Sequence, residues 1–124
     1  GGTIPFDDVM YERPPYQGTT AYGRSKLAQI FMTYDLAEEF RDSGVTFAAV
    51  NPGGFLDTDM VRERGGTPTQ PTEVGGEFVV NAARSQENGA YFNEMEVDEA
   101  NPQASDLAAR RQLRELSMRL VGLD

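Results

Sequence analysis

Gly44-Val45-Thr46-Phe47-Ala48-Ala49-Val50-Asn51-Pro52-Gly53-Gly54 is the stretch on which the fold turns. From Val45 to Val50 it runs almost without polar interruption, the pattern of a parallel strand covered on both faces. Gly44 can adopt a positive φ and so close whatever precedes it, while Asn51-Pro52-Gly53-Gly54 stops regular structure after the strand. Immediately upstream, Ala21 to about Ser43 is spaced as a helix with two apolar stripes. Leu27, Ile30, Phe31 and Tyr34 form one; Ala28, Met32, Leu36 and Phe40 form the other. A helix apolar on two faces is expected to be buried on two faces. Helix, glycine turn and buried strand in that order make half of an α/β repeat.

Outward from that unit, residues 1–21 are rich in Gly and Pro and have no sustained period, so they read as an irregular lead-in, with Thr19 or Thr20 as N-cap of the helix. Residues 54–71, with Gly65-Gly66-Thr67-Pro68 inside them, read as a mobile loop or lid. Thr72 opens a second helix, to about Ser85, carrying Val74, Phe78 and Ala82. Asn88-Gly89 turns the chain into a short strand, Ala90-Tyr91-Phe92. A last helix, 105–121, places Leu113, Leu116 and Leu120 on one face and its arginines late, as the helix dipole favours. The expectation is one α/β domain with two adjacent parallel strands and about three helices.

Twenty acidic against eleven basic side chains leave a charge of −9, which excludes a general nucleic-acid binder. Without Cys or His, disulfides, thiolate or imidazole metal sites and Ser-His-Asp triads are excluded too. No apolar run is long enough to span a bilayer, so a soluble cytoplasmic protein with no membrane partner is expected. Chemistry must then run on Tyr, Lys, Ser, Thr or carboxylates. The densest such cluster is Tyr22-Gly23-Arg24-Ser25-Lys26, in which Tyr22 and the chain's one lysine stand four apart and therefore on one helix face. A phenol in water titrates near pH ~10 and is a poor base at neutrality. An ammonium ~4 Å away, at an effective dielectric of ~20, favours the phenolate by ~4 kcal/mol. An aromatic and a cation at this spacing also occur on helices with no chemical role. Pro52-Gly53 stands at the carboxyl end of a strand, where open α/β sheets bind ligands and where glycine lets a flat ring approach the backbone; it can equally be a plain strand terminator.

In this order, Tyr22-Gly23-Arg24-Ser25-Lys26-Leu27-Ala28, then Gly44 to Gly53, then Thr58-Asp59-Met60, the chain resembles the carboxyl-terminal half of a short-chain dehydrogenase/reductase. The lead-in Ile4-Pro5-Phe6-Asp7-Asp8 and the tail Leu113 to Leu123 are similar to the retinol-dehydrogenase-like branch. The resemblance implies one partial domain over 1–124, half of a Rossmann-like doubly wound sheet. It implies Tyr22 as acid/base at a substrate carbonyl or alcohol, with Lys26 assisting it and bonding the nicotinamide ribose of NAD or NADP. Pro52 and Gly53, with Gly54 and Phe55, would lie against the nicotinamide, and Thr58 would contact its carboxamide or the pyrophosphate. The loop 59–71 would close over a small carbonyl or alcohol substrate, and the helix 21–43 would pack against a second subunit in a homo-oligomer. The family's phosphate loop and catalytic serine are not among these residues; Ser25 lies off the Tyr22–Lys26 face, and the isolated chain is expected to be inactive. The alternative is a non-catalytic truncated module that self-associates through helix 21–43.

Overall fold

The computed structural model describes residues 2–123. Its elements are α1 (Gly18–Glu39), β1 (Ala48–Asn51), α2 (Asp59–Glu63), α3 (Thr72–Arg84), β2 (Ala90–Asn93), β3 (Glu96–Asp98), a 3-10 turn (Pro102–Ser105) and α4 (Leu107–Leu120). The sheet order is β1-β2-β3. β1 and β2 are parallel, with Ala48 opposite Ala90 and Val50 opposite Phe92, as an α/β unit linked by α3 requires. The α/β class and the adjacent parallel pair agree with the sequence reading.

β3 is a correction to it. It pairs antiparallel with β2 through the two-residue turn Glu94–Met95, in which Glu94 sits at φ 58. Hairpin turns of this length normally advertise a glycine or asparagine at the left-handed position, and a glutamate there carries no such signal.

The first helix begins at Gly18 after Gln17, rather than at a threonine cap, and ends at Glu39 rather than Ser43. Phe40 leaves the helix and its ring packs on Phe47 at 5.9 Å between centroids, so Arg41 to Gly44 form the turn and Gly44, at φ 80, closes it. The expected strand Val45–Val50 shortens to Ala48–Asn51, with Val45 and Thr46 exposed. Its start is fixed by one side chain. Asn88 Oδ1 accepts from Phe47 N at 2.9 Å, Asn88 Nδ2 donates to Ala37 O at 2.9 Å, and Gly89 N donates to Phe47 O at 2.8 Å. Burial on both faces of β1 is not found either: Ala48 and Asn51 are exposed, because only β2 pairs with this strand among the described residues.

The main core lies between α1, α4, the 3-10 turn and the lead-in, where Ile4, Leu27, Phe31, Ala104 and Ala109 are buried together. The irregular lead-in is therefore anchored. Gln103 Oε1 accepts from Ile4 N at 2.7 Å and its Nε2 donates to Ile4 O at 3.1 Å. A smaller cluster, Ala82, Ala90 and Phe92 with Val50 against it, joins α3 to the sheet.

Of the two stripes on α1, the first is covered as expected. The second is only partly so, with Met32 57% and Phe40 43% exposed. The α4 arginines do more than follow the dipole: Arg110 reaches Asp35 at 3.4 Å, and Arg114 reaches Glu39 at 2.8 Å, clamping α4 to α1. Asp106 caps α4 by accepting from Ala108 N and Ala109 N.

Candidate active site

Tyr22 and Lys26 lie in the first turns of α1, a helix whose opposite flank is fixed by Leu27 and Phe31 in the core. The i, i+4 spacing brings them together as the sequence requires: Lys26 Nζ stands 5.4 Å from the centroid of the Tyr22 ring. The ammonium thus sits over the ring, within cation–π reach, and also donates to Gln29 Oε1 at 3.3 Å. Tyr22 is 39% exposed. Ser25 turns away, its Oγ donating to the Tyr22 carbonyl at 2.7 Å. Burial pushes Tyr34 and Tyr91 up from the usual phenol value, which moves both away from proton transfer at neutral pH.

A third group at Tyr22 was not legible from spacing. Arg64, 42 positions downstream, places its guanidinium carbon 5.1 Å from the Tyr22 ring centroid. It arrives on the segment 54–71, which is more ordered than a lid of its composition suggests. The base is closed by a bridge between Leu56 and Gln70, with Asp57 N donating to Gln70 O at 2.8 Å and Thr69 N to Phe55 O at 2.9 Å. Within it, α2 is capped by Thr58, whose side chain accepts from Val61 N, and Arg62 pairs with Asp57 and, at 3.2 Å, with Asp59.

The remaining sequence-singled residues cluster at the carboxyl end of β1. Gly53 has φ 92, and a Cβ built on it would meet the side chains of Gln70, Phe78 and Glu94 at 3.4–3.7 Å. Gly54 is open, with nothing within 4 Å of where its Cβ would stand, and Phe55 is 61% exposed at φ 52. Gly75 of α3 packs beneath this corner, so close that an added Cβ would lie 2.5 Å from Leu56 Cδ1 and 3.1 Å from Pro52 O. The side-chain ring contacts of Tyr22 run to Lys26 and Arg64 rather than to Pro52, Gly53, Gly54, Phe55 or Thr58. The site is thus two groups joined by the 54–71 segment.

The sequence model described as short chain dehydrogenase matches residues 2–68, more than half of the chain. The chain belongs to the short-chain dehydrogenase family. Human retinol dehydrogenase 13 is 30% identical over 142 residues, an alignment covering 99% of this chain and 43% of that protein. Human retinol dehydrogenase 14 is 30% identical, over 98% of this chain and 41% of its own length. Oxidoreductase calI of Penicillium decumbens is 36% identical over 58 residues, 47% of this chain. The chain spans less than half the length of the curated relatives it matches over nearly all of its own.

Membership implies a nicotinamide cofactor, and the residues present are compatible with one end of it. The open backbone at Gly54 and the exposed Phe55 ring could accommodate a flat ring, and the Lys26 ammonium could donate to a ribose hydroxyl. Glycine-rich sequence between a strand and a helix N-terminus, which a pyrophosphate needs, does not occur in G-x-G-x-x-G form anywhere in the 124 residues. Among the described residues no cluster of acidic side chains could hold a metal ion, and no helix is long and apolar enough to cross a membrane.

Proposed function

We propose that this chain forms the proton-transfer half of an NAD- or NADP-dependent oxidoreductase acting on a carbonyl or secondary alcohol. The observation that carries the reading is the exposed Tyr22 phenol with the Lys26 ammonium held one helical turn away against its ring. Bound cofactor would supply or accept the hydride. Tyr22 gives its hydroxyl proton to the carbonyl oxygen as an alcohol forms, and takes it back in the reverse direction. Lys26 keeps positive charge beside the ring, and its ammonium bonds a ribose hydroxyl. Pro52, Gly53, Gly54 and Phe55 seat the nicotinamide end, and the Thr58 hydroxyl, while capping α2, retains a proton to donate to its carboxamide.

The test pairs the chain with a dinucleotide-binding amino-terminal segment of the same family and follows loss of reduced-nicotinamide absorbance with a panel of aldehydes and ketones. Retinaldehyde belongs in the panel because of the names of the relatives. Turnover that Tyr22→Phe removes supports the reading; turnover insensitive to that change overturns it.

A second reading, self-association through α1, is favoured by the apolar cleft between α1 and α4, about 480 Å³ and lined by Met32, Leu36, Leu113 and Met118 among others. Sedimentation of the chain at rising concentration tests it, and a monomer throughout overturns it.

A further inference from the structure

Two arginines of the 54–71 segment are used differently. Arg62 is neutralised by Asp57 and Asp59 and belongs to the internal wiring of α2. Arg64, at the C-cap of the same helix, has no acidic side chain within ion-pair reach among the described residues, although Glu63 is its neighbour and the chain carries nine excess negative charges. Its guanidinium lies instead 5.1 Å from the Tyr22 ring centroid. The positive-φ Gly65 follows directly, and Gly66 N donates to Val61 O at 2.9 Å, so the backbone turns back immediately after Arg64 at the C-terminal end of α2.

We infer that Arg64 is a positioning residue of the active site: its stacking on Tyr22 latches the 54–71 segment down over the catalytic face and fixes the ring between segment and helix. The inference rests on the acid/base reading of Tyr22 and extends it by naming what holds the substrate-covering segment shut. Arginine suits the role because a planar, weakly hydrated guanidinium can rest on a ring face, and because an unpaired one is free to lift off when substrate enters. The latch costs little to open. An exposed cation–π contact corresponds to a shift of about two- to fivefold in the closed-to-open ratio.

The chain itself supports the first test, amide hydrogen exchange, which requires no catalysis. Arg64→Gln is expected to speed exchange at Asp57, Gly66 and Thr69, the amides bonded across the segment, by about two- to fivefold, leaving α3 and β2 unchanged. Arg64→Lys should restore only part of the protection, because a compact, strongly hydrated ammonium rests less well on a ring face than a guanidinium. In a Tyr22→Leu background the Arg64→Gln change should have no further effect, since the ring it rests on is gone. Unchanged segment exchange in Arg64→Gln, or an effect of equal size with and without the Tyr22 ring, overturns the latch. In the chain paired with a dinucleotide-binding segment, Arg64→Gln should raise KM for the carbonyl substrate more than it lowers kcat; a KM left unchanged overturns the assignment. Coupled exchange in a chain that never turns over upholds the contact and counts against the oxidoreductase reading alone.

Discussion

The half of the molecule built from α1, α4, the 3-10 turn and the lead-in differs in construction from the half built from the sheet and α3. The first encloses Phe31 at 1% exposure among Ile4, Leu27, Ala104 and Ala109, and ties its helices with Arg110 and Arg114. The second has a core of two alanines and one phenylalanine, and its first strand is paired on one side among the described residues. Tyr22 and Lys26 are mounted on the first; the Pro52–Phe55 corner and its neighbouring segment belong to the second. On the proposed reading, the acid/base residue stands on the more fully packed half and the cofactor-seating corner on the other, where a substrate must enter and leave.

The largest effect expected is chemical. Tyr22→Phe should lower turnover of the paired enzyme by about 10²- to 10⁴-fold with the denaturation midpoint unchanged, because it removes one exposed hydroxyl from the rigid half. Phe31→Ala should lower unfolding free energy by about 3–5 kcal/mol in denaturant titration, and Phe92→Ala should fall at the low end of that range, because the sheet half can relax around the gap. Equal losses would erase the distinction between the halves. Arg110→Met should cost about 1–2 kcal/mol, since Asp35, 22% exposed, recovers some water when its partner is removed. A cycle with Asp35→Asn would show how much of that loss is the pair. The most discriminating test lies at two adjacent glycines of α3, where the expected effects have opposite signs. Gly76→Ala, with open space around it, should stabilise by about 0.5–1 kcal/mol, as helix propensity dictates. Gly75→Ala should destabilise by about 1–3 kcal/mol through its clash with Leu56 and the Pro52 carbonyl, and should disturb the corner as well.

What the sequence discloses follows the same division. The α1 stripe of Leu27, Ile30, Phe31 and Tyr34, the Asn88-Gly89 turn and the Tyr22–Lys26 pairing all depend on local spacing, which one helix or one turn satisfies alone. The extent of β1 does not, because its start depends on Asn88, 41 positions from Phe47. The turn at Glu94 is hidden for another reason: a glutamate occupies the left-handed conformation where the usual marker is glycine or asparagine. Arg64 is illegible for the reason Asn88 is: nothing within a turn of it specifies that it will reach Tyr22, and its charged neighbours make it look like one more solvated side chain. The partial opening of the second α1 stripe shows the limit of periodicity, which identifies an apolar face without saying what covers it.

Asn88 also has a kinetic consequence. Its amide draws together residues 41 and 51 positions away, closing two long loops with a single side chain in a protein that has no cysteine to staple them. Such closures carry an entropic cost growing as roughly (3/2)RT ln n, and the two bonds can be made together only once the end of α1 and the residue before β1 are both in place. Parallel pairing of the two strands is therefore expected to be a late, all-or-none event in refolding, one that slows when Asn88 is shortened while formation of the isolated helices keeps its pace.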